Sequence, residues 1–182
     1  MEDLHQLLLS RHSIRKYTEQ TIDPEHVKTI LEAGLLAPTS KSARPWQFVV
    51  VEDKEMLARL GQCKPAGAAS FRTAVLAVVI VTDPERSDVF IEDASVAATM
   101  MQLQAAALGI GSCWVQVRNR FAADGEPSET VVQSALGIPE SYPVECILTF
   151  GYSAENRRPV DPSRLLWEKV HLGRWNAVQD EE

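Results

Sequence analysis

Ala107-Leu108-Gly109-Ile110-Gly111-Ser112-Cys113-Trp114 is the stretch that decides the fold. Upstream of it, Glu92 to Leu108 repeats Ala94, Ala97, Ala98, Met101, Ala105 and Leu108 at helical spacing, a small-sided pattern that Gly109 ends. Downstream, Ser112 to Val117 reads as a strand. The two glycines therefore close a helix and open a strand. A dinucleotide fingerprint runs the other way, leaving a strand and opening a helix under the pyrophosphate, so the order excludes a Rossmann site. The chain also contains no GxxxxGK(S/T) and no GxSxG, which removes P-loop and α/β-hydrolase readings.

Working outward, Leu4, Leu7 and Leu8 repeat at helical spacing. Asp23-Pro24-Glu25 offers a capping Asp and a first-turn Pro before Val27, Ile30, Leu31 and Leu35. Trp46 to Val51 and Leu76 to Thr82 are aromatic or β-branched runs, both expected to be largely buried strands. Asp53 to Leu60 is a short helix stopped by Gly61, Ser128 to Leu136 a capped helix before Gly137, and Val144 to Phe150 a further strand. The order α, α, β, α, β, α, β, α, β predicts one α+β or three-layer domain over residues 1–182, built around a single sheet. Residues 37–45, 61–74, 118–127 and 153–182 are irregular, and long connections of this kind carry function or pack against a partner.

With 18 Lys and Arg against 25 Asp and Glu, the chain carries −7 and makes a poor nucleic-acid binder. Val75 to Val81 is too short to span a bilayer, which takes about 20 residues. The start, Met1-Glu2-Asp3-Leu4-His5, lacks a basic n-region, so a cytoplasmic location is expected. Cys63, Cys113 and Cys146 show no CxxC, and the four His show no HxxxH, so no metal is expected.

Against that acidic background, Arg11-His12-Ser13-Ile14-Arg15-Lys16-Tyr17 gathers four basic or imidazole side chains around one hydroxyl. In an extended chain Arg11, Ser13 and Arg15 share one face, suited to an anion because guanidinium forks bind phosphate bidentately. Arg11 and Arg15 would stand about 13 Å apart, so one can hold a terminal phosphate and the other a distant polar ring. The same residues also suit a solvated edge strand. Ala37-Pro38-Thr39-Ser40-Lys41-Ser42-Ala43-Arg44-Pro45-Trp46 is dense in hydroxyls and could line a polar ligand or serve as an ordinary turn.

Taken together, these segments resemble the nitroreductase family of flavin enzymes. Arg11-His12-Ser13-Ile14-Arg15 resembles its R-x-S-x-R opening, and Ala37-Pro38-Thr39-Ser40 through Arg44-Pro45-Trp46 its A-P-S-S…P-W loop. Ala107 to Trp114 resembles its A-L-G-x-G-(S/T)-C-W turn. Gly151-Tyr152-Ser153 and Lys169 to Trp175 resemble its G-Y-P and closing basic segment.

The resemblance implies a three-layer fold with a mostly antiparallel central sheet flanked by helices. It also implies an intertwined homodimer whose tail, about 153–182, wraps the partner. FMN would be the cofactor and NADH or NADPH the co-substrate. Electrons would pass by a ping-pong mechanism to a small acceptor such as a nitroaromatic or quinone. Position by position, it puts Arg11, Ser13 and Arg174 at the phosphate arm, with His12 in the same segment, and Arg15 at the pyrimidine edge as an electrostatic tuner. Thr39 and Ser40 would approach from the partner, with Pro38 and Ser42 of the same loop also at the cofactor, and Trp114, Val115 and Gln116 would pass behind the ring. Ser42 and Arg44 stand where many members have Asn and Gln, and Ser153 replaces the Pro of G-Y-P. Another flavin reaction on this scaffold, such as reductive dehalogenation or flavin cleavage, and a non-catalytic flavin store are the alternatives.

Overall fold

A computed structural model describes residues 3–175. Five helices, α1 (Leu4–Ser10), α2 (Pro24–Leu35), α3 (Lys54–Leu60), α4 (Phe90–Ala107) and α5 (Ser128–Leu136), alternate with four strands, β1 (Trp46–Val51), β2 (Leu76–Thr82), β3 (Gly111–Gln116) and β4 (Val144–Gly151). The strands form one sheet in the order β1-β2-β4-β3, every pairing antiparallel.

The sheet is the middle of three layers because its central strands are apolar on both faces. From β2, Val78 and Ile80 point into a core with Ile30 of α2 and Ala98 and Met101 of α4. Val79 and Val81 point the other way, against Leu57 and Leu60 of α3 and Val132 of α5. This two-sided burial explains why β2 reads as an unbroken hydrophobic run.

The local signals set the boundaries. The Asp23 carboxylate accepts the Glu25 N–H at 2.9 Å, and Asp53 accepts the Met56 N–H at 2.8 Å; each caps the helix that follows. Gly109, at φ +72°, turns the chain out of α4 in the left-handed region that glycine enters without strain.

Two expectations need correction. β1 is not largely buried: it pairs with β2 alone, so as an edge strand it leaves Gln47 and Val50 exposed. Ser128 does not cap α5 either. Its buried hydroxyl donates to the Cys63 carbonyl at 2.6 Å, spending the group on a tie to the loop after α3.

Candidate functional site

The basic segment is extended, and it is fastened at both ends. Ser13 bridges Ser112 at the start of β3 in parallel sense, and the Ile14 N–H donates to the Ser112 carbonyl at 2.9 Å. Tyr17 bridges Ser153, and its buried hydroxyl sits 3.0 Å from both the carbonyl and the hydroxyl of Thr149. Burial pushes that phenol well above its ordinary pKa, so it stays protonated. With Ile14 and Tyr17 anchored in the core, Ser13 is half-buried and Arg15 exposed. The Arg15 backbone N–H donates to Glu155 Oε2 at 3.3 Å. His12 Nε2 lies 2.7 Å from the Arg158 carbonyl, which makes it the protonated ring nitrogen. Arg11 and His12 line a pocket of about 270 Å³ together with Gly109, Ser112, Asn156 and Arg157.

Among the described residues β3 pairs along its length with β4 alone, its other side being bridged just at Ser112 by Ser13. Its Ser112 carbonyl faces Ile14 on the open side, and the Gln116 carbonyl faces the same way, accepting from Lys64 Nζ at 3.0 Å. Backbone direction alternates along a strand, so the Trp114 N–H and C=O between them also face the open edge. Behind that edge the side chains are held. Gln102 of α4 donates to the Ser112 hydroxyl at 3.1 Å, and the Trp114 indole donates to Gln116 Oε1 at 2.8 Å. The Gln116 amide nitrogen donates in turn to Glu145. Val115 is fully buried in the α3-side core, so it offers the open edge no side chain. Burial raises the Cys113 thiol pKa against the opposing charges of Arg15 and Lys64.

The hydroxyl loop lies elsewhere. The Ser40 N–H donates to the buried Asp93 at 2.9 Å, near the start of α4, and the Thr39 hydroxyl accepts the Arg44 N–H at 3.1 Å. Arg11's pocket touches Ala106 at the other end of that helix. The helical rise puts about 20 Å between Asp93 and Ala106. Pro38, Thr39, Ser40 and Ser42 are therefore not brought to Arg11 within one chain. Lys41, Ser42 and Arg44 adopt φ of 52°, 54° and 48°, left-handed values that cost non-glycine residues about 1–3 kcal/mol each. Arg174 is exposed in the tail and does not line the Arg11 pocket. Of the tail expected to cross to a partner, residues 176–182 lie outside the described residues.

Two residues escape sequence reading. Glu155 binds the Arg15 backbone from 140 positions away. Lys64, half-buried in the irregular 61–74 stretch, reaches the end of β3, and burial lowers its pKa. The one available signal was a lone lysine beside a cysteine in a loop rich in alanine and glycine.

Fold and site together define a three-layer α+β protein with a cationic cleft on the open edge of its last-paired strand. The pattern of the nitroreductase family matches residues 8–69 and 63–152. An Archaeoglobus fulgidus protein named NADH dehydrogenase/NAD(P)H nitroreductase is 32% identical over 180 residues, covering 96% of this chain and all of that protein. The structure of an FMN-dependent nitroreductase from Clostridium difficile superposes with a TM-score of 0.91 at 45% identity, covering 94% of this chain and 99% of that one. A Bacteroides thetaiotaomicron protein of the same name as the archaeal one gives 0.85 at 28% identity, covering 94% and 98%. The chain belongs to the nitroreductase family of oxidoreductases. Among the described residues no helix is long and apolar enough to cross a membrane.

Proposed function

We propose that this protein is an FMN-dependent oxidoreductase that moves reducing equivalents from NADH or NADPH to a small organic acceptor, such as a nitroaromatic or a quinone. The observation that carries this reading is the parallel bridge of Ser13, between Arg11 and Arg15 in the chain, to Ser112 on the open edge of β3, with Lys64 at the far end of the same edge. When bound, FMN supplies the hydride-accepting and electron-donating chemistry. The residues present suit it. Arg11 and His12 line a pocket of about 270 Å³, ample for a phosphate, and arginine holds such a group with a rigid fork. Arg15 and Lys64 would lie towards the pyrimidine edge, where a cation favours negative charge. The outward backbone of Trp114 and Gln116 would meet the ring, with Val115 as the buried rivet between them.

A second copy of the chain would complete the site. Pro38, Thr39, Ser40 and Ser42, whose loop is tied to the opposite end of α4 from the Arg11 pocket, would reach the cofactor from that copy. Arg174 would arrive on its tail. The strained φ values at Lys41 and Ser42 support a loop shaped for contact and not for its own stability.

One open edge would serve donor and acceptor in turn, so parallel double-reciprocal lines are expected in a two-substrate matrix. The deciding experiment is mass spectrometry of the heat-released chromophore, followed by NAD(P)H titration of the visible spectrum. FMN at about one per chain, bleached by NAD(P)H, supports the reading. FAD or no chromophore overturns it, and FMN that NAD(P)H cannot bleach marks a store instead of an enzyme.

A further inference from the structure

A second cavity, of about 580 Å³, opens on the α3 side of the Arg11 to Tyr17 segment. Its floor is apolar, with Leu57, Phe71 and Val75, while Lys54, Lys64 and Arg72 stand on its walls. Among the described residues none of these three cations forms an ion pair, although the chain as a whole carries −7. Glu19 is the one carboxylate in the lining. The loop packs closely on Lys64: a Cβ at Gly67, whose φ is +80°, would come within 3.2 Å of the ammonium nitrogen. That ammonium already touches the Gln116 carbonyl, so Lys64 borders both this cavity and the open edge of β3.

An apolar hollow walled by unpaired cations suits a ligand with a flat ring and negative charge. At about 580 Å³ the cavity is larger than one small acceptor needs. We infer that this cavity takes the adenosine-phosphate end of the nicotinamide donor, its phosphate oxygens on Lys54, Lys64 and Arg72. The inference rests on the oxidoreductase reading above. The shared chemistry is a phosphate beside an adenosine, which the diphosphate bridge of either donor or the 2′-phosphate of NADPH provides.

The test uses the FMN-loaded protein and a Lys54→Ala/Arg72→Ala double variant, with flavin content checked in both. The expected result is a donor KM raised about tenfold or more, with kcat and the acceptor KM unchanged, and partial recovery in Arg72→Lys. Competition by 5′-ADP against both donors assigns the diphosphate bridge, whereas competition by 2′,5′-ADP alone assigns the 2′-phosphate. An unchanged donor KM together with no inhibition by either nucleotide overturns the inference while leaving the oxidoreductase reading intact. If NAD(P)H does not bleach the wild-type flavin, that reading fails by itself. Direct titration of 2′,5′-ADP and 5′-ADP into both proteins then decides the cavity: binding weakened by the double variant supports it, and absent or equal binding overturns it.

Discussion

Arg11 and Arg15 belong to one extended segment, yet their surroundings give them different work. Arg11 is half-buried in a pocket that also holds His12, Ser112 and Asn156, a setting in which a charge-assisted contact to phosphate is worth about 1.5–3 kcal/mol. Arg11→Ala is expected to weaken FMN binding roughly 10- to 150-fold, read by fluorescence titration of the apoprotein. Unchanged affinity would remove Arg11 from the phosphate. Arg15 is exposed, with its guanidinium folded back to 3.5 Å from the Ser13 carbonyl, and its charge is felt by Cys113 on β3. Loss of a cation near the pyrimidine edge disfavours the more negative, reduced form. Arg15→Gln should therefore shift the flavin midpoint potential negative, by roughly 30 mV if about 1.4 kcal/mol of stabilisation is lost. Spectroelectrochemistry measures it, and a potential that stays put or rises assigns the tuning to Lys64 alone.

At the scale of elements, the joint between the basic segment and β3 rests on one missing side chain. A Cβ on Gly111 would lie 3.0 Å from two atoms of Ile14, and Ile14 cannot retreat because it is buried and its N–H is bonded to Ser112. Gly111→Ala is expected to lower stability by about 1–3 kcal/mol and to weaken FMN binding by lifting Arg11 to Arg15 off the strand. Thermal unfolding and flavin titration together check this; a variant with wild-type values in both would mean that the segment is free to shift. The same joint shows what a sequence can reveal. Asp23-Pro24, Asp53 and Gly109 act on residues within a turn of themselves, and the helix boundaries they predict agree with the structure. The edge position of β1 depends on which strand pairs with which, and nothing inside Trp46 to Val51 encodes that. Likewise the motif around Arg15 is visible in the chain, but its partner Glu155 is 140 residues distant and Lys64 arrives on an irregular loop. Local chemistry was legible, and long-range pairing was not.

The whole molecule presents apolar surface that one chain does not cover. Trp167, Leu172 and Trp175 are 67%, 85% and 80% exposed, and Leu166 and Val170 are more than half exposed beside them. The Val160 N–H donates to the Leu9 carbonyl, whereas backbone hydrogen bonds further along, such as Trp167 N–H to the Leu165 carbonyl, stay within the tail. Isolated surface hydrophobics are ordinary, but a run of large ones on irregular backbone is the mark of an interface. The hydroxyl loop is tied to the opposite end of α4 from the Arg11 pocket, and Val96 adds a further exposed apolar side chain on that helix. A two-fold arrangement answers both facts at once, since each tail would cover the other chain and each hydroxyl loop would approach the other chain's Arg11. Interfaces of this obligate kind commonly bury more than about 2,000 Å² and leave no stable monomer. Truncation after Asp161 removes the exposed aromatic and leucine side chains along with Arg174 while keeping every element of the sheet. The expected outcome is a protein that light scattering reports as monomeric or aggregated and that absorbance shows to have lost most of its FMN. A truncated chain that stays dimeric and fully yellow would mean that α4 and the hydroxyl loop alone assemble the pair, with Arg11 and Ser13 sufficient for the phosphate.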